Sequence, residues 1–128
     1  TMDMRQVGAD SLGAMFGEMK AGAGAAGTAE VCTVELEQIC RIPPVSFDPT
    51  LGESVRRAVK AVEGDEFELP SGALHDASEM ARVVPTAMVF TSSIAGLSHT
   101  KEEDTPDEHL AMGITAFHMA VMEALDPS

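Results

Sequence analysis

The sequence predicts an α/β fold, and three observations carry that prediction. Alternation with a period of two marks short strands. Apolar residues spaced at three and four mark amphipathic helices. The two patterns alternate along the chain, as they do when helices cover a sheet.

The elements follow in order. Met2-Asp3-Met4-Arg5 reads as a strand. From Ser11 to Lys20 the residues Leu12, Met15, Phe16 and Met19 share one helical face. The Gly and Ala run from Gly22 to Gly27 is expected to end that helix and form a flexible connection. Cys32, Val34 and Leu36 then alternate with Thr33, Glu35 and Glu37, the mark of a half-buried strand. Composition shifts at Pro43-Pro44. Asp48-Pro49 is a strong helix start, with Asp as N-cap and Pro at the first helical position. Leu51, Val55, Val59 and Val62 follow at helical spacing, and Gly64 closes the helix. Ser71 to Ala77 forms a turn into a short helix through Met80 and Val83, ended by Pro85. Thr86 to Thr91 is a short strand with Met88, Val89 and Phe90 buried. Ser92 to Asp104 is a long polar loop. Thr105-Pro106-Asp107-Glu108 is a capping box that starts a last helix, whose expected buried face is Leu110, Ile114, Phe117, Val121 and Leu125.

The chain has 128 residues, enough for one domain of moderate core. Its net charge of -13 excludes non-specific binding to nucleic acid or to an anionic membrane, since phosphate contacts need Lys and Arg. Nine Met and five Phe, with no Trp or Tyr, leave the core short of shaped aromatics. Cys32 and Cys40 show neither CxxC nor paired spacing and read as free, mostly buried thiols of a reducing compartment. No signal peptide is visible, and no apolar run reaches the ~18 residues that span a bilayer. The expected location is the cytoplasm.

Chemistry is expected in two loops. His75 lies between a turn and a helix, and His99 follows a strand, where α/β folds bind ligands. A lone loop His is more often merely solvated. His109 and His118 are nine positions apart on one helix, so they face different directions and cannot share an ion. They read as structural or solvated. There is no HExxH, no phosphate-binding Gly loop, no GxSxG elbow and no Cys cluster for zinc. One ligand cannot hold a metal by itself.

Several segments, in the same chain order, resemble one enzyme family. Leu69 to Ala77 is similar to the SGAGHDA segment of the metal-dependent N-carbamoyl-amino-acid hydrolases, ureidopropionases and allantoate amidohydrolases. These are relatives of aminoacylase and the two-zinc exopeptidases. Pro85 to Phe90, followed by Gly96-Leu97-Ser98-His99-Thr100 with Glu103 and Thr105, resembles their PTGMIF and GISHSPEExT segments. Met2 to Arg5 and Arg41 to Asp48 are similar to their xDxR strand and PPVxFD connection.

The resemblance implies a two-part organisation. Residues 1–42 would be the last strand-helix-strand of an inserted α+β lid that also dimerises. Residues 43–128 would be the C-terminal part of an α/β catalytic domain of the two-metal exopeptidase type. The first catalytic half, with four metal ligands and the Glu general base, would lie on a missing or separate polypeptide. His99 matches the family's final metal ligand, on one of two divalent ions (Zn, Mn or Co). Arg5 matches a lid Arg that binds the substrate carboxylate, and His75, Gly72, Ala73 and Leu74 line the substrate. The implied reaction is hydrolysis of an amide, carbamoyl or ureido C–N bond of a small anionic substrate by metal-activated water. The implied partners are the missing portion, a second copy and that substrate, without nucleic acid or membrane. The alternative is a non-catalytic relative acting as a folded or dimerising module. Leu74 departs from the family, which has Gly there. It adds an apolar wall at the substrate, or else points into the core.

Overall fold

The structure, a computed structural model, describes residues 1–125, so residues 126–128, the end of the expected second section, lie outside it. The described residues form four α-helices and one short 3-10 turn: α1 (Ala9–Ala29), α2 (Pro49–Glu63), α3 (Asp76–Met80), the turn Ile94–Gly96, and α4 (Asp107–Leu125). They fall into two compact units, Thr1–Val45 with Pro70–Ala73, and Ser46–Leu69 with the chain from Leu74 onward.

The first unit is built on α1. Leu12, Phe16, Met19, Ala23 and Gly27 recur at helical spacing, and all five are half-buried or buried. Met15, expected on that face, is exposed. The Gly and Ala run does not end the helix, which continues to Ala29. Each Gly there costs ~1 kcal/mol relative to Ala, but the interleaved Ala residues are the best helix formers and no Pro interrupts them. Gly27 has a packing role instead. The chain turns at Glu30 and Val31 and returns over the helix, with the Cys32 amide donating to the Gly27 carbonyl at 2.9 Å. A Cβ at Gly27 would sit 3.0 Å from the Cys32 carbonyl oxygen and 3.2 Å from Val34 Cγ2.

No described residue is in a strand. The expected strands at 2–5, 32–37 and 86–91 are therefore not formed as ladders. A strand exists by pairing its amides with a neighbour, and none of these segments meets a paired neighbour among the described residues. Cys32 and Cys40 are exposed, contrary to their expected burial, because the segment that carries them is exposed throughout. Thr86 to Val89 is half-buried, and Phe90 is exposed.

The second unit is built on two packed helices, α2 and α4. Asp48 caps α2 as expected, its Oδ1 accepting from the Thr50 and Leu51 amides at 2.9 Å each. The Asp48 amide in turn donates to the Thr86 carbonyl at 2.9 Å, anchoring the segment before Met88. Gly64 ends α2 in the left-handed region, φ 84°, where Gly carries no steric penalty. Val55, Val59 and Val62 are half-buried as expected, but the most buried positions are Ser54 and Ala58.

The expected inner face of α4 is wrong. Leu110, Ile114, Phe117, Val121 and Leu125 are all exposed, and the buried residues are Ala116 and Ala120. Ala58, Ala116 and Ala120 form the core. Small residues let the two helix axes approach closely, and the bulky stripe cannot occupy the same seam. A second close approach lies at Gly113, where the extended segment ending at Thr91 crosses α4: a Cβ there would collide with Thr91 Cγ2. Ser54 Oγ donates to Glu123 Oε1 at 3.1 Å, and Arg57 pairs with the same carboxylate. The Arg57 hydrogen bond holds the Glu123 carboxyl below the usual carboxylate range, against the opposing effect of desolvation.

Two outcomes test this packing. Gly113→Ala should destabilise the chain by about 1–3 kcal/mol although Ala is the better helix former, and Thr91→Ala should recover most of that loss. Urea denaturation followed by circular dichroism reads both; a stabilised single variant would refute the close approach. The second outcome concerns pH. A carboxyl whose folded pKa is depressed contributes stability above its unfolded value, about 4.3, and that contribution disappears as pH falls through the folded value. The stability gap between the natural chain and Glu123→Gln should thus be open at pH 7 and shrink on going below pH ~4. A gap that does not vary with pH would mean that the pair contributes nothing.

Candidate functional site

Two local arrangements hold the residues singled out from the sequence. The first lies within the first unit. Met2 to Arg5 runs extended, so Asp3 and Arg5 project to the same side. Arg5 Nε and Nη2 donate to Asp3 Oδ2 at 3.0 and 2.6 Å. Arg5 Nη1 donates to the Gly72 carbonyl oxygen at 2.7 Å, across 67 positions of sequence. Arg5 and Gly72, both expected at the substrate, are therefore in contact. The Asp3 hydrogen bond lowers the Asp3 carboxyl pKa and raises that of the Arg5 guanidinium. Next to Gly72, the Ala73 amide donates to Ser71 Oγ at 3.2 Å, which shapes the turn.

The second arrangement lies in the second unit. Leu74 is 59% exposed, so it does not fill a core position. His75 is half-buried and stands before α3, with its ring edge-on to Phe90 at a centroid distance of 5.7 Å. His99 is exposed and has φ 58°, a left-handed backbone that costs a non-Gly residue on the order of 1–3 kcal/mol. Its amide donates to Glu103 Oε2 at 2.6 Å. The Glu103 amide reaches the Thr100 carbonyl at 3.3 Å, and the Ile94 amide meets the Asp104 carbonyl at 2.8 Å, closing the loop at its base. His99 is thus presented outward by a loop that closes on itself. His109 Nδ1 meets Ser92 Oγ at 2.7 Å, and His118 is exposed.

Sequence reasoning did not assign roles to Asp3 and Glu103. Asp3 had a legible signal, an acid two positions before Arg in an extended segment. Glu103 had the four-residue spacing from His99, but its target is a backbone amide, which no side-chain pattern reveals.

A family model described as peptidase family M20/M25/M40 matches residues 4–123. The chain belongs to the M20/M25/M40 family. It is 38% identical over 91 residues to an N-carbamoyl-L-amino-acid amidohydrolase of Rhizobium meliloti, covering 71% of this chain and 22% of that protein. It is 32% identical over 126 residues to an N-carbamoyl-L-amino-acid amidohydrolase of Paenarthrobacter aurescens, covering 98% and 30%. It is also 32% identical over 81 residues to an allantoate amidohydrolase of Bacillus subtilis, covering 63% and 20%. The M20/M25/M40 chain therefore spans between 20% and 30% of the length of these relatives, all three of which are named as amidohydrolases.

Peptidases of this family typically use divalent metals. No group of three or more His, Cys, Asp or Glu among the described residues could hold a metal ion. The described residues do not fit a complete metal centre; His99 offers one exposed imidazole. No described helix is long and apolar enough to cross a membrane.

The exposure of Leu74 yields a prediction. Leu74→Gly should cost about 1 kcal/mol or less, the backbone-entropy cost of Gly, rather than the ~2–5 kcal/mol of an emptied core site. Thermal and urea denaturation measure it, and a loss in the upper range would place Leu74 in the core after all.

Proposed function

We propose that this chain is part of a metal-dependent amidohydrolase that cleaves an amide, carbamoyl or ureido C–N bond of a small anionic substrate. The observation that carries the reading is the Arg5–Gly72 contact at 2.7 Å. It joins two segments far apart in sequence that the family resemblance assigns to the substrate. The names of the relatives support the reaction class. Arg5 would hold the substrate's carboxylate, with Gly72, Ala73, Leu74 and His75 lining the substrate. The exposed Leu74 adds an apolar wall, which favours a substrate with an apolar portion over ordinary N-carbamoyl amino acids.

His99 would be one ligand of a two-ion centre of Zn, Mn or Co, completed by donors on polypeptide outside the described residues. The ions would supply an activated water when bound. The strained His99 backbone supports this role, since local strain concentrates where a side chain must be aimed. Residues 1–42 are proposed as the end of a lid that pairs with a second copy, and residues 43–128 as the C-terminal part of an α/β catalytic domain. The extended segments 2–5, 32–37 and 86–91 would then be strands completed by that further polypeptide. The free, exposed thiols Cys32 and Cys40 suit a reducing compartment, and the cytoplasm is the proposed location.

The test is metal analysis of the enzyme that contains this chain. His99→Ala should lower affinity for one of the two ions by more than ~100-fold, because even residues that only support a ligand are worth 10–100-fold. Activity should fall with it. Full metal content at stoichiometric metal, with unchanged turnover, would remove His99 from the centre.

A further inference from the structure

Arg5 is more constrained than a surface Arg usually is. Its guanidinium has five N–H donors. Asp3 Oδ2 takes the Nε–H and one Nη2–H, at 3.0 and 2.6 Å, and the Gly72 carbonyl takes one Nη1–H at 2.7 Å. One whole edge of the planar group is fixed by Asp3, and a third donor is fixed by backbone. Rotation about the last two side-chain bonds would break at least two of these contacts. One N–H remains on each of Nη1 and Nη2, and both can donate to an anion.

As a stabilising pair, Asp3–Arg5 has little value. Its side chains are 64% and 67% exposed, and such pairs contribute little to folding. What the pair does set is direction. We propose that Asp3 is a positioning residue for the anion site at Arg5: it orients the guanidinium so that the remaining Nη donors meet a substrate carboxylate. The inference rests on the reading of Arg5 given under the proposed function, and it deepens that reading by adding a residue that never touches substrate.

The sign of the effect separates this from the simplest alternative. An acid beside an anion site repels the anion and competes for its donors. If Asp3 did only that, removing it would tighten binding. If it positions Arg5, removing it frees a flexible side chain to rotate and weakens binding despite the lost repulsion.

The experiment has two readouts. In the 128-residue chain, the Nε–Hε resonance of Arg5 in ¹H–¹⁵N NMR should be resolved and slow to exchange with water. In Asp3→Ala it should move into the envelope of free Arg signals, and Asp3→Asn, which keeps one carbonyl acceptor, should retain part of the protection. In the enzyme that contains this chain, KM for an N-carbamoyl amino acid with a large apolar side chain should rise roughly 10-fold in Asp3→Ala, less in Asp3→Asn, with kcat little changed. An unchanged or lower KM in Asp3→Ala overturns the inference, as does an Arg5 resonance that is already free in the natural chain. Arg5→Lys separates the two levels. If Arg5→Lys raises KM while Asp3→Ala does not, positioning by Asp3 fails and the anion site stands. If Arg5→Lys leaves KM unchanged, the anion site fails and the inference falls with it.

Discussion

The second unit depends on one close contact, the seam of small residues between α2 and α4. Ala58, Ala116 and Ala120 are its buried core, and Gly113 extends it to Thr91. Dispersion and burial per residue are small for Ala, so the seam gains from proximity rather than from volume. Polar groups at its edge then fix the register. Ser54 is buried and shares the Glu123 carboxylate with Arg57, so a hydroxyl that would otherwise be costly to bury is satisfied. Sliding α4 by one turn would separate Glu123 from both partners at once.

That choice of seam decides what α4 shows to solvent. Leu110, Ile114, Phe117, Val121 and Leu125 lie along one exposed stripe. An apolar stripe of this extent is uncommon on a lone soluble surface. The proposed function accounts for it in the same terms as the unpaired extended segments: both are halves of contacts that further polypeptide would complete. The high Ala and Gly content of α4's inner face also explains why so few large side chains are buried among the described residues.

The two candidate arrangements share a device. In each, a carboxylate two or four positions away holds a candidate residue in place: Asp3 takes the edge of the Arg5 guanidinium, and Glu103 takes the His99 amide. In the His99 loop that carboxylate offsets a left-handed backbone. In the Arg5 segment it removes rotational freedom from a long side chain. Binding residues on exposed segments lose orientation easily, and short-range carboxylates restore it without requiring a core.

Much of the local structure was legible in the chain itself. Asp48-Pro49 and Gly64 determine both ends of α2, because a side-chain cap, a fixed proline φ and a left-handed glycine act within a few residues. The three family-like segments, with Arg5, Gly72, His75 and His99 in them, were readable for the same reason: a loop's chemistry is written in consecutive residues. The tertiary structure decided what periodicity leaves open. An α4 with apolar residues on more than one side can bury its large stripe or its small one, and the close approach to Ala58 selected Ala116 and Ala120. The Gly and Ala run after Lys20 could break or continue, and the returning segment over Gly27 made the helix the better packed choice. The contact between Arg5 and Gly72 is likewise tertiary. Its two groups are a guanidinium and a backbone carbonyl, and every residue has the latter, so no pattern of side chains could have announced the pairing.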